Sequence, residues 1–451
     1  MITLPRTALI ASFALSLTAC DSFLEKEPTA NLPSDGIFAD ATGAEAAIAG
    51  AYNRVQAPMD DFVIFSDLAA EYAIHTGSFP SWTEVDAHNL QTTNVEAGGQ
   101  WAGWYALINQ ANLIIENVDG AQNISAARVN EIKGEAFAMR AYAYHALVRW
   151  FGGVPLVLSG AVDLDNLNVP RSSASEIYAQ IKSDLEAAEP LVSEARSVGL
   201  IDRDVVRAMR ARVLLYTEEY EQAGQIASEL YDKYPLVPLE SLYDNLNSAE
   251  SIWELQYTTD DQNSMAFFGF VTGGRREYGP SGDAITAFAE TDGRTPFNLS
   301  LDGPNSTPII AKYFRVNTGD DHHFLFRGAE MALIEAEAEA RSGDAAAAVA
   351  ILNEIRTRAG ATLYGVDNDG DGTLDGDADG NGSISGGEAL DLVIAERGLE
   401  LAYEGHRWHD LVRIGEAVER LPDLSDPNYT LWPIPQSEIE RNSDAVQNPG
   451  Y

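Results

Sequence analysis

The chain has 451 residues, of which 69 are Asp or Glu and 29 are Lys or Arg, giving a formal charge of −40 at pH 7. Such a surface repels nucleic acid and anionic lipid, so functions that rest on contact with either are excluded. The single cysteine rules out a disulfide framework, and the length allows a large apolar core in one or more packing units.

At the N-terminus Arg6 precedes an apolar run from Ala8 to Leu17, which ends in Leu17-Thr18-Ala19-Cys20. Residues 1–19 read as a secretory signal, too short to span a bilayer. The small-residue box ending in cysteine resembles the bacterial lipoprotein signal, in which the thiol of Cys20 is acylated and becomes the first mature residue. Acyl chains would hold the protein on a membrane surface without a spanning helix. Residues 20–35, with Pro28, Asn31, Pro33 and Ser34, suit a polar tether, and 36–451 form the folded body.

That body reads as mainly α. Trp104, Leu107, Ile108, Ala111, Asn112 and Ile115 recur at three and four, as do Ala136, Met139, Ala143, Leu147 and Trp150, so two amphipathic helices pack inward. Trp101, Trp104 and Trp150 lie on these stripes and belong to the core. Gly152, Gly153 and Pro155 stop the second helix. Ser173 and Glu176 form a capping box for a helix through Ile177, Ile181, Leu185 and Ala188 that ends at Pro190. Small residues between Arg203 and Tyr234, and again between Leu325 and Arg358, pattern as short helix pairs similar to tetratricopeptide units. Residues 250–308 are richer in Gly, Thr and aromatics, with an extended segment at Ile252 to Thr258. Loops, and therefore sites, are expected there.

Asp377, Asp379, Asn381, Gly382, Ser383, Ile384, Ser385 and Glu388 fill positions 1, 3, 5, 6, 7, 8, 9 and 12 of an EF-hand type loop. A hard cation takes oxygen ligands, glycine allows the sharp turn, and Glu388 closes the sphere as it enters a helix. The expected ligands of a structural calcium ion are Asp377, Asp379, Asn381, Ser383, Ser385 and Glu388. Upstream, Asp367, Asp369, Asp371 and Asp375 begin a second loop, but Ala378 stands where its closing carboxylate belongs.

Several segments together resemble the SusD/RagB family of outer-membrane nutrient-binding lipoproteins. They include Trp104 to Val118, Gly134 to Leu156, Val169 to Leu185, Glu250 to Tyr257, Phe326 to Gly360, Glu396 to Arg413 (ERGLELAYEGHRWHDLVR) and Leu431 to Tyr451. The resemblance implies a SusD-like helical fold, with tetratricopeptide-like pairs near 100–235 and 325–420 and irregular, loop-rich segments. The calcium-loop insertion, 363–388, lengthens a connection that is usually shorter in the family. It also implies a non-catalytic protein on the outer face of the outer membrane, partnered by a SusC-like TonB-dependent transporter. Its ligand would be a glycan, or in some members a peptide.

Sugar binding needs an aromatic face against the apolar side of a ring, with amides and carboxylates for the hydroxyls. Trp82, in a turn-rich stretch with Asp86 and Asn89, is the leading candidate. Phe267, Phe268, Arg275, Arg276 and Tyr278 form a second cluster. His406 and His409 stand three apart, a spacing compatible with a metal pair. The surrounding Glu404, Arg407, Asp410 and Arg413 read better as an internal charge network. The rival readings are a lipid-anchored glycoside hydrolase and a tetratricopeptide scaffold that binds only protein or peptide.

Overall fold

The computed structural model describes residues 34–161, 168–194, 198–244, 246–288 and 292–451. The expected signal, Cys20 and the tether up to residue 33 lie outside the described residues.

Helices dominate. Helices α1 (Ala41–Gln56), α2 (Met59–Leu68) and α3 (Pro80–Asp86) lead into the long α4 (Val95–Asn117) and α5 (Ala126–Phe151). Trp101, Trp104, Leu107, Ile108 and Ala111 form the buried stripe of α4, and Ala136, Met139, Ala143, Leu147 and Trp150 lie buried on α5. The C-terminal half of α5 is buried on every side because the helix runs between α4, α1 and α6 (Ala174–Ala188). Gly152 ends α5 at φ 69°, a backbone state that costs glycine little. Ser173 and Glu176 make the expected capping box at the start of α6, which ends at Ala188, just before Pro190.

Two helix pairs follow, α7 (Arg203–Tyr216) with α8 (Tyr220–Lys233), and α9 (Gly328–Ser342) with α10 (Ala345–Ala359). They are far apart in sequence, yet α8 packs directly on α9. Gly224 permits that approach, since a Cβ there would stand 2.7 Å from the Cβ of Ala338. Neither pair could bury its apolar face alone, so stacking closes one core across both. Helix α11 (Gly386–Glu400) completes this array, burying Ala389 and Val393 against Leu333, Ala336, Leu352 and Ile355. The short α12 (Arg407–Arg413) follows.

The strands form three small antiparallel pairs among the described residues. They are β1 (Ala73–His75) with β3 (Tyr278–Pro280), β2 (Ser251–Leu255) with β6 (His323–Arg327), and β4 (Leu299–Asp302) with β5 (Thr307–Ile310). The extended segment expected over 252–258 is β2, which stops at Leu255.

Beneath β2 and β6 lies a buried charge network. Arg327 reaches Glu250 and Glu400 at 2.7 Å and Glu404 at 2.9 Å, while Arg294 reaches Glu396 at 2.6 Å and Glu400 at 3.2 Å. Lys312 adds a contact to Glu404 at 2.6 Å, and Arg358 contacts both Glu250 and Glu400. Buried carboxylates are tolerated only when cations and donors surround them, and here the cations come from four separate segments. Glu404, Arg407, Asp410 and Arg413 are indeed internal, but only Asp410 and Arg413 pair within the group. Arg407 holds Glu71, Asp410 also accepts from Arg397, and Arg413 binds Glu337. His406 precedes α12 rather than sharing its face with His409. The His409 ring packs against Phe62 and Trp150, with Nε2 3.2 Å from Ser66 Oγ.

Candidate functional site

The two aromatic segments singled out in the sequence converge on one patch. Helix α3 is amphipathic, with Trp82 and Val85 facing inward. That orientation sets the Trp82 indole edge-on to Phe65 at 5.3 Å and to Phe268 at 5.2 Å, with Phe79 at 5.5 Å and Tyr278 at 6.4 Å. Trp82 is only 3% exposed and Tyr278 1%, so neither presents a ring face to solvent. Both expectations are corrected: these rings are the floor that supports the patch. The exposed ring is Phe267, 43% exposed, 5.4 Å from Phe268. Phe79 and Phe268 are half-buried beside it, 6.1 Å apart.

The polar rim is built around Glu277. Its buried carboxylate accepts from the Ser78 amide at 2.7 Å and the Phe79 amide at 3.3 Å, and receives Arg275 Nε. His75 Nε2 lies 3.4 Å away, and His75 Nδ1 lies 3.0 Å from Thr83 Oγ1. Burial alone would raise the Glu277 carboxyl, but the Ser78 amide, Arg275, His75 and the Phe79 amide outweigh it and hold it below the usual value. The guanidinium of Arg275 also lies 4.1 Å from the centre of the Phe79 ring, which fixes that ring beside the exposed Phe267.

Other expected ligand contacts go elsewhere. Arg276 donates to the Pro308 carbonyl at 2.6 Å and so ties the loop before β3 to β5. Asp86 is half-buried, and burial raises its carboxyl although the His75 amide opposes the shift. Asn89 is exposed in the loop after α3, where its Oδ1 accepts from Gln91 at 3.3 Å. Phe79, His75 and Glu277 were missed by the sequence reading. The available signal for Glu277 was a lone carboxylate directly after two arginines.

The acidic insertion between α10 and α11 forms turns without regular elements. Asp377 Oδ1 accepts from the Gly380 and Asn381 amides and Oδ2 from the Gly382 amide, at 2.9, 3.2 and 2.7 Å. Glu388 accepts from the Ser385 amide at 2.8 Å and the Ala378 amide at 2.9 Å. These bonds bring one oxygen each from Asp377, Asp379 and Glu388 within 4.8 Å of one another. Asp367, Asp369 and Asp371 converge in the same way. Asn381 Oδ1 accepts from Ser383 at 2.6 Å, and Ser385 donates to Glu388 at 2.7 Å and caps α11. Asp375 instead accepts from Asn368. No Lys or Arg lies between Arg358 and Arg397, so nothing within this stretch neutralises the carboxylates. An oxygen-only, anionic donor set of this kind fits calcium.

Comparison with known proteins agrees with this architecture. A family model described as starch-binding associating with outer membrane matches residues 22–215, and the SusD family model matches 303–429. Together they span more than half of the chain. SusD-like protein P38 of Formosa agariphila is 26% identical over 500 residues, covering 96% of each chain. A SusD-like protein of Bacteroides ovatus is 26% identical over 301 residues, covering 59% of this chain and 54% of its own. Among solved structures, a laminarin binding SusD-like protein superposes with a TM-score of 0.79 at 22% identity, covering 92% of this chain and all of the other. A SusD superfamily protein from Bacteroides vulgatus gives the same TM-score at 20% identity, covering 92% of this chain and 100% of its own. The helical pairs, the small strand pairs and these matches together make the chain a member of the SusD family.

Proposed function

We propose that this protein captures a glycan at the cell surface and passes it, without bond cleavage, to a SusC-like TonB-dependent transporter of the outer membrane. Acylated Cys20 is its anchor in this reading. The observation that carries it is the convergence of Phe79, Phe267 and Phe268 beside the Arg275–Glu277 pair, an aromatic surface with a polar rim. Aromatic faces hold the C–H side of sugar rings, and the exposed Arg275 guanidinium, fixed by the buried Glu277, supplies donors for the hydroxyls. Calcium bound by Asp377, Asp379 and Glu388 is a structural part of the proposal, holding the insertion closed; Asp367, Asp369 and Asp371 are a second, weaker cation site.

Native gels cast with laminarin, starch, xylan, alginate or galactomannan test the reading. At least one polymer is expected to retard the protein, and Phe267→Ala to weaken that binding about fivefold or more. Absence of retardation by every polymer, or cleavage of any of them, would overturn it.

A further inference from the structure

We propose a second saccharide-binding cleft beneath the β4–β5 hairpin, continuous with the Phe267 patch, so that the ligand is gripped as an extended chain of three or more sugar residues. The inference rests on the glycan-binding reading above and names the class of ligand that reading leaves open.

The cleft has a volume of about 400 Å3 and is walled by Phe270, Phe297, Leu301 and Phe314, with Tyr243 and Ser300 also lining it. Phe297 stacks on Tyr243 with ring centres 5.1 Å apart, giving a rigid aromatic wall. At the mouth, Leu301 is 64% exposed and Phe314 38% exposed. The Arg315 guanidinium lies 4.6 Å from the centre of the Phe314 ring, the same backing that Arg275 gives Phe79. Large apolar side chains left open around a concavity mark a binding site more often than a random surface.

Polar groups are few and placed. The Tyr243 hydroxyl is buried and has no hydrogen-bond partner among the described residues. Lys312 lies 5.4 Å from the Tyr243 ring and is held by Glu404 at 2.6 Å, so a fixed cation closes one side. Asp302 accepts from the amides of Val271 and Thr272 at 2.8 and 2.7 Å, which locks the segment after Phe270 onto the hairpin. The exposed Ser300 at the rim and the aromatic walls match the mixed surface of a sugar better than that of an apolar ligand.

Continuity follows from the chain itself. Phe267 belongs to the patch and Phe270 to the cleft wall, three residues apart, so their Cα atoms are separated by no more than about 10 Å. A ring stacked on Phe267 leaves the depth of the cleft to further rings of the same chain, so a longer chain fills both surfaces more completely than a disaccharide does.

The test uses the polymer that retards the mature protein most strongly in the gels above, together with its disaccharide and hexasaccharide, measured by calorimetry. The wild type is expected to bind the hexasaccharide at least about tenfold more tightly than the disaccharide. Phe314→Ala and Leu301→Ala are each expected to remove about fivefold or more of that gain while melting as the wild type does. Leu301 is exposed enough that its loss leaves folding intact. If both variants bind the hexasaccharide as the wild type does while Phe267→Ala is weakened, the cleft falls and glycan capture stands. If no polymer is bound, both fall together.

Discussion

Two regions of this acidic chain concentrate carboxylates and treat them in opposite ways. Beneath β2 and β6, Glu250, Glu396, Glu400 and Glu404 are fully buried, each contacted by Arg294, Arg327, Arg356, Arg358 or Lys312. In the insertion from Asp367 to Glu388, most carboxylates stand in solvent and converge in threes, with no cationic side chain in that stretch. A carboxylate can enter the core only where the fold brings an arginine to it from elsewhere in sequence. One held among its own kind on the surface needs its countercharge from solution.

The largest effect is expected from breaking the first region. Arg327→Met leaves Glu250, Glu400 and Glu404 short of a shared partner and should cost about 3–5 kcal/mol in urea unfolding, a loss that adding Glu400→Gln partly restores. Unchanged unfolding in the single variant would mean that the network contributes nothing particular. Calcium removal tests the second region. If chelation empties a site that was filled at about 100 times its dissociation constant, stability falls by about 2.7 kcal/mol. Glu388→Gln should abolish the response, and calorimetry should show no high-affinity uptake.

Acid sharpens the contrast. Asp410, held by Arg397 and Arg413 against the opposing effect of burial, has a pKa lowered to about 2. Its contribution is therefore present above about pH 4, the unfolded value, and is lost as pH falls toward 2. Asp61 behaves oppositely: burial first, then Glu96 and Asp60, push it up to about 7. Between about pH 4 and 7 the folded chain holds a proton that the unfolded chain has released, so stability falls as pH rises across that window. Asp61→Asn should raise stability at pH 8 by about 1–3 kcal/mol and change little at pH 4, as followed by thermal melting at both values. The smallest effect is expected at Asp369→Asn in the upstream loop, which should reduce total calcium uptake while shifting stability by less than about 0.5 kcal/mol.

Local features were legible before the fold. The stripes of α4 and α5, the Ser173–Glu176 box, the helix pairs and the spacing of Asp377, Asp379 and Glu388 all depend on neighbours within a turn or a loop. The ligand patch was legible only in part. Phe267 and Phe268 lie at the patch, but Trp82 turned inward because α3 is short and its one apolar face must cover Phe65.

The sequence by itself determined the helical periodicities, the acidic balance and the oxygen-rich loop, since each follows from residue type and short-range spacing. Tertiary structure alone decided that α8 meets α9, that Arg327 gathers three distant glutamates, and that Phe79 and Phe267 share one surface. Those outcomes join segments tens to hundreds of residues apart. They are set by which faces must leave water together, a condition that the whole fold satisfies at once and no local pattern encodes.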